Sequence, residues 1–365
     1  MRTLAATVLV LVALAASPAT AQPLPADVPV LAPPTKKAPA ITEDERAVLN
    51  AGIALLNEKQ YDRAIAKYRT VLAANPDSAG AMYEIALAYV QQGAYGQGVE
   101  MAAKSAEYDT VDLAKCLALI GTAYDLAGEP KKAVEVYDRA IALVPAAGTL
   151  HYNKAVAELQ GLRDPERALA TLKRGAAADP SHATTQQMLG RFFASDDLRT
   201  PAVMAFSRFL ILEPASPRTA EIYKLWYSLL FSSVRQGAEG RLEVAVNPDK
   251  KTTEGNLLPL DTFIALSQIA AASMPAETPP GPRLVRLFTS YLNAVAAHDA
   301  GADRSMFLWT YYVPYFGQLR ERDFVEPFVY YVSQGVGMPG VQDWMASNKA
   351  RIDAFLAWDK AYAWR

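Results

Sequence analysis

Between Thr42 and Gln236 the sequence repeats itself. Pairs of small or apolar residues stand at Ala51 and Gly52, Ile85 and Ala86, Ile120 and Gly121, and Leu189 and Gly190; three residues after each comes Leu55, Tyr89, Tyr124 or Phe193. A second set follows: Ala64, Tyr68, Val71 and Pro76; Ala133, Tyr137, Ala140 and Pro145; Ala168, Leu172, Gly175 and Pro180; Ala202, Phe206, Phe209 and Pro214. Successive ends at Pro76, Thr110, Pro145, Pro180 and Pro214 lie 34 or 35 residues apart. A small residue on a first helix lets a second helix approach, an aromatic fills the space between them, and proline stops the second helix. Neither helix can bury its apolar face alone, so the repeats must stack.

This pattern resembles the tetratricopeptide repeat family over residues 42–236, with "LIGTAYDLAGEPKKAVEVYDRAIALVP" (119–145) the best-formed stretch. The resemblance implies an all-α chain. Its expected parts are a TPR-like α-solenoid of about five repeats with a capping helix in "SPRTAEIYKLWYSLLFSSVRQG", then a smaller, mainly helical C-terminal domain over 237–365. Two repeats depart from the pattern. The second has Gly98 and Ala102 at the key positions of its second helix and ends in Thr110, which predicts looser packing. The fourth carries Lys154 and Glu158 on its first helix and one extra residue near "GLRD", which leaves its register open.

The ends read differently. Arg2, an apolar run from Leu4 to Ala16, Pro18 and the small-x-small site Ala19, Thr20, Ala21 read as a secretory signal peptide (1–21) cut before Gln22. The apolar run is shorter than the roughly 20 residues that span a bilayer. Residues 22–41 form a Pro-rich linker with six prolines between Gln22 and Ala40, expected to be extended and mobile. Thr42 and Glu45 then have capping-box spacing. Beyond Gly240, "RLEVAVN" alternates as a short strand near 241–247. "NPDKKTTEGN" reads as a loop, and helices are expected over 262–273, 282–298, 304–319 with a kink at Pro314, and 323–364.

Several chemistries lose their support at this level. Thirty-six basic residues face 38 acidic ones, which gives no broad field for nucleic acid or anionic lipid. His151, His182 and His298 are far apart and form no HExxH pair, and Cys116 has no disulfide partner, so neither metal nor cofactor is expected. No GxSxG, SxxK, Walker or GxGxxG motif occurs. Glu321, Asp323 and Glu326 could serve as paired glycosidase carboxylates, but Asp323 and Glu326 have helix-cap spacing. Trp309, Tyr312, Tyr315, Tyr330 and Tyr331 could present faces to a glycan, although helical spacing explains such a run equally as core.

In the resembled family the inner groove is lined by fixed first-helix positions, which correspond here to Leu49, Ile53, Leu56, Tyr83, Leu87, Val90, Thr122, Asp125, Tyr152, Val156, Gln187 and Arg191. The family's carboxylate clamp uses Lys and Asn where this chain has Leu49 and Ile53, so that clamp is absent. The expectation is an exported, non-enzymatic protein-interaction scaffold or adaptor, soluble in a bacterial periplasm or secreted, that binds a protein segment in this apolar groove. Three alternatives stay open: a glycan such as peptidoglycan on the aromatic C-terminal domain, an enzyme of unrecognised type there, or a groove filled by the chain's own linker or C-terminal domain.

Overall fold

A computed structural model describes residues 23–109, 113–231, 234–236, 242–244, 257–272, 278–299 and 303–364. The expected signal peptide and the loop at 247–256 lie outside them. The chain divides into two compact units, residues 1–171 and 172–365.

In the first unit helices follow one another as antiparallel pairs: α1 (Glu43–Asn57) with α2 (Tyr61–Ala74), α3 (Ala79–Gln92) with α4 (Tyr95–Ala106), α5 (Leu113–Leu126) with α6 (Pro130–Leu143), then α7 (Gly148–Val156). The chain enters α1 through the capping box: Glu45 N–H donates to Thr42 Oγ1 at 3.2 Å, and Thr42 N–H to Glu45 Oε2 at 2.9 Å. Gly93, with φ +87°, takes the left-handed turn that ends α3.

The small-residue positions do what the repeat demands. A Cβ at Gly52 would lie 2.2 Å from the Tyr68 ring, and one at Gly121 would lie 2.5 Å from the Tyr137 ring. Tyr68 and Tyr137 are themselves fully buried. The expectation of a looser second repeat is corrected. Gly98 brings α4 so close to α3 that a Cβ would meet Val90 Cγ2 at 2.5 Å, and Gly98, Val99 and Ala102 are buried. Glycine and alanine here replace bulk with proximity.

The extra residue of the fourth repeat is absorbed by a π-helical turn, Ala157–Gly161, at the end of α7. One wide turn accepts an insertion without shifting the residues beyond it. Glu158 in this turn is buried, with Lys154 Nζ at 3.6 Å and Arg167 Nε at 2.8 Å, while Lys154 also reaches Asp138 at 2.5 Å.

The division between units falls within α8 (Pro165–Ala178). The second unit continues with α9 (Ala183–Ser195), α10 (Arg199–Leu212) and α11 (Thr219–Phe231). A Cβ at Gly190 would stand 2.4 Å from the Phe206 ring, the same small-on-aromatic contact again. Helix α11 ends earlier than the capping segment read from sequence, because residues 234–236 form a strand. This β3 (Val234–Gln236) pairs antiparallel with β4 (Leu242–Val244). Then come α12 (Leu258–Ala272), α13 (Pro280–Asp299), α14 (Val313–Glu321), α15 (Val325–Val332), α16 (Val341–Ser347) and α17 (Lys349–Ala361). The kink expected at Pro314 appears as a π-helical turn just before it, Leu308–Tyr312. Proline has no N–H to give to the carbonyl four residues back, and the wider turn accommodates that loss.

Helix α10 is buried on every side from Thr200 to Ile211. It packs against α9, α11, α15 and the π-turn before α14. A helix buried all round must be enclosed by other elements. The aromatic run serves this enclosure: Trp309, Tyr312, Tyr315 and Tyr330 are buried. Tyr312 hydroxyl donates to Gln186 Oε1 at 2.7 Å, and Tyr311 hydroxyl to the Ala176 carbonyl at 2.8 Å. Arg208 of α10 is buried too. It pairs with Asp359, which also accepts from Tyr315 hydroxyl at 2.6 Å, and its guanidinium lies 5.0 Å from the Trp364 ring centroid.

Candidate protein-binding surface

The Pro-rich segment, expected to be an extended and mobile linker, packs against the repeats. Val28 joins a buried apolar cluster built from α3 to α7 that includes Ala86, Val90, Leu117, Ile120 and Tyr124. Leu24 and Leu31, four residues before and three after Val28, pack against the same cluster. Tyr124 hydroxyl donates to the Asp27 carbonyl at 3.3 Å. Burial raises the Tyr124 hydroxyl above its ordinary pKa, so it remains a donor.

Further along, the segment becomes a strand. β1 (Lys36–Lys37) pairs in parallel with β2 (Tyr108–Asp109), which follows α4, in the register Lys36 to Tyr108 and Lys37 to Asp109. The Thr35 and Lys36 N–H groups both donate to the Glu107 carbonyl at 2.9 Å. Lys36 Nζ meets Glu107 Oε2 at 2.6 Å and stands 5.2 Å from the Tyr108 ring centroid. Both ends of that ion pair are about half exposed, so water screens it and it adds little to the hold. Tyr108 is positioned by its own bond to Asp77 at 2.5 Å, and Ala38 packs on the small cluster of Ala79, Met82 and Tyr108.

The hold is modest. Val28 is the buried side chain of the segment, worth about 1.5 to 3 kcal/mol, whereas Val30 is 90% exposed. Ordering the segment costs about 1 to 2 kcal/mol per backbone residue, less where proline already restricts the chain, and this offsets much of what its contacts supply.

The positions expected to line a groove divide accordingly. Val90 belongs to the cluster that holds Val28, and Tyr83 and Leu87 pack against it. Leu49 and Leu56 are buried instead in the cluster of α1, α2 and α3, while Ile53 is half-buried. Thr122 Oγ1 lies 3.0 Å from Tyr137 hydroxyl, and Asp125 is half-buried, which raises its carboxyl above the usual range. Tyr152 and Val156 are half-buried. In the second unit Gln187 accepts from Arg218 at 3.0 Å and Arg191 pairs with Glu221 at 2.7 Å. Sequence reading missed Val28, Asp27, Tyr124 and the Glu107 to Asp109 edge; the 4-and-3 spacing of Leu24, Val28 and Leu31 was their visible trace.

The other candidates make local contacts. Cys116 is buried, its thiol 3.3 Å from Ser105 Oγ. His151, His182 and His298 sit beside the Pro145 carbonyl, Thr185 hydroxyl and Ala294 carbonyl. Asp323 does not cap α15 as its spacing implied: it and Glu326 both pair with Arg351, at 3.2 and 2.5 Å. Among the described residues no three His, Cys, Asp or Glu side chains gather as metal ligands, and no helix is long and apolar enough to cross a membrane.

The helix pairs, their period and their glycine-on-aromatic contacts define repeats of one class. Residues 49–107 and 119–183 match the family model of the tetratricopeptide repeat, so these stretches are tetratricopeptide repeats and the fold is an all-α, TPR-like solenoid. No curated protein matches the chain. Among solved structures it is similar to MamA, at 23% identity over 44% of this chain and 94% of that one, with a TM-score of 0.34. It is also similar to pilF of Pseudomonas aeruginosa, at 16% identity over 51% and 89% of the two chains, with a TM-score of 0.37. A third is YrrB, described as a TPR protein with an unusual peptide-binding site, at 20% identity over 48% and 94%, with a TM-score of 0.31.

Proposed function

We propose that this protein is an exported, non-enzymatic interaction scaffold of the bacterial cell envelope, and that it takes a segment of a partner protein on the apolar surface of its first repeats. The repeats support a scaffold. The observation that carries the choice of surface is the extended segment 23–38 on the cluster shared with Tyr83, Leu87 and Val90. That surface already accommodates a peptide backbone through apolar contact and strand pairing, two of the ways proteins recognise extended segments.

The test compares partner capture from an envelope extract by wild type and by a Tyr83→Ala, Leu87→Ala double variant. Truncating an anchoring side chain costs roughly 2 kcal/mol or more at an interface, so the variant should lose its specific partner at least tenfold. Undiminished capture by a variant that keeps its helical circular dichroism would move the site elsewhere. Export is checked separately by terminal sequencing of protein from the native host, where a mature start at Gln22 is expected and an intact Met1 would refute it.

A further inference from the structure

We propose that residues 23–38 are a resident stand-in for the partner's segment, and that the partner binds by displacing them. This rests on the surface assignment just made and deepens it: the ligand is an extended, proline-punctuated stretch with apolar residues spaced as Leu24, Val28 and Leu31, followed after a few residues by a basic one.

Three features of the seat point there. First, much of the recognition is of backbone. Tyr124 hydroxyl takes a carbonyl, the Glu107 carbonyl takes two N–H groups, and the Tyr108–Asp109 edge takes a strand. Any extended chain offers those groups, so the seat does not require this chain's own sequence at most positions. Second, side-chain selection is confined to few places. Val28 enters the cluster, Leu24 and Leu31 flank it, and Lys36 meets the Glu107 carboxylate and the Tyr108 ring. Around the strand edge Asp77, Glu107 and Asp109 give the seat negative charge, complementary to Lys36 and Lys37. Third, the resident segment is lightly held, with Val30 turned outward and one side chain fully engaged. An occupant attached at one end through the short stretch 39–42 lowers the apparent affinity of a competitor without abolishing it, because its local concentration is high while its own hold is weak.

The experiment compares the wild-type chain with a variant lacking residues 23–38 and with Val28→Asp, which keeps the segment in the chain but makes its anchor unfit for an apolar cluster. The probe is a fluorescein-labelled peptide with the sequence PLPADVPVLAPPTKKA, and the readout is anisotropy. Saturable binding to the deletion and V28D variants, at least tenfold tighter than to wild type, is the expected result. The same peptide with aspartate in place of valine at the position of Val28 should not bind. Equal affinity for all three proteins, or no binding to a folded V28D chain, would overturn the displacement. Light scattering of wild type gives the other arm: a monomer accords with a heterologous partner, whereas a dimer that V28D dissolves would assign the seat to a second copy and overturn this inference. If the peptide fails while capture still depends on Tyr83 and Leu87, displacement alone fails. If the peptide binds while capture ignores those residues, the scaffold reading fails.

Discussion

At the residue scale the fold depends on places where a side chain is missing. Gly52, Gly121 and Gly190 each leave room for one aromatic ring, and each ring is buried in the space thus provided. Tyr137 also donates toward the Ala118 carbonyl at 3.5 Å, so its ring and hydroxyl are positioned together. Replacing Gly121 with leucine forces the ring off its packed position, and overpacking of this kind costs about 1 to 3 kcal/mol. Leucine at the exposed Lys131 of the same repeat should change stability by less than about 0.5 kcal/mol. Urea titration of the two variants decides it: coincident midpoints would refute the assigned register.

At the element scale the π-turn after α7 joins a geometric device to a buried charge. Glu158 has no exposure, and its cations reach it from one helical turn earlier and from α8. Lys154→Met removes one of the two cations and leaves Arg167 Nε at 2.8 Å, so it should destabilise by less than the roughly 3 to 5 kcal/mol of a wholly unpaired buried charge. Adding Glu158→Leu should restore most of the loss, since Asp138 and Arg167 are about half exposed and can turn to water. Thermal melts of the single and double variants test this; a double variant no more stable than Lys154→Met would contradict it. The sequence made much of this element visible, but not its form. An extra residue near "GLRD" was countable, whereas whether it became a loop or a wide helical turn depended on the Pro130 turn beside Gly161, where a Cβ would lie 2.4 Å from Pro130. Helix pairs were legible because each carries its own small and aromatic residues at fixed spacing. The Val28 seat was not, because proline removes the hydrogen-bond periodicity on which such a reading depends, and the β2 edge that receives Lys36 is only two residues long.

At the scale of the whole molecule, enclosure of α10 links the last repeat to the C-terminal helices within one compact unit. Phe206, Phe209, Leu210 and Trp226 are fully buried there, and Trp226 packs on Phe288 of α13 and Phe328 of α15 at ring-centroid distances of 5.7 and 6.2 Å. A chain ending at residue 231 should therefore expose aromatic surface, bind a hydrophobic dye and lose near-ultraviolet circular dichroism while keeping helix signal. A cooperative, dye-free melt of that fragment would show that the C-terminal helices are dispensable.

That enclosed helix also bears on how such a protein can evolve. Repeat arrays usually grow by duplicating a unit and stacking the copy on an exposed terminal face. Here α10 has no face left to receive one, because α15, the π-turn at Leu308–Tyr312 and Arg208's partner Asp359 already occupy it. A copy inserted after α10 would have to unseat those helices before it could stack, so duplication at that point carries the loss of a folded core as its first step.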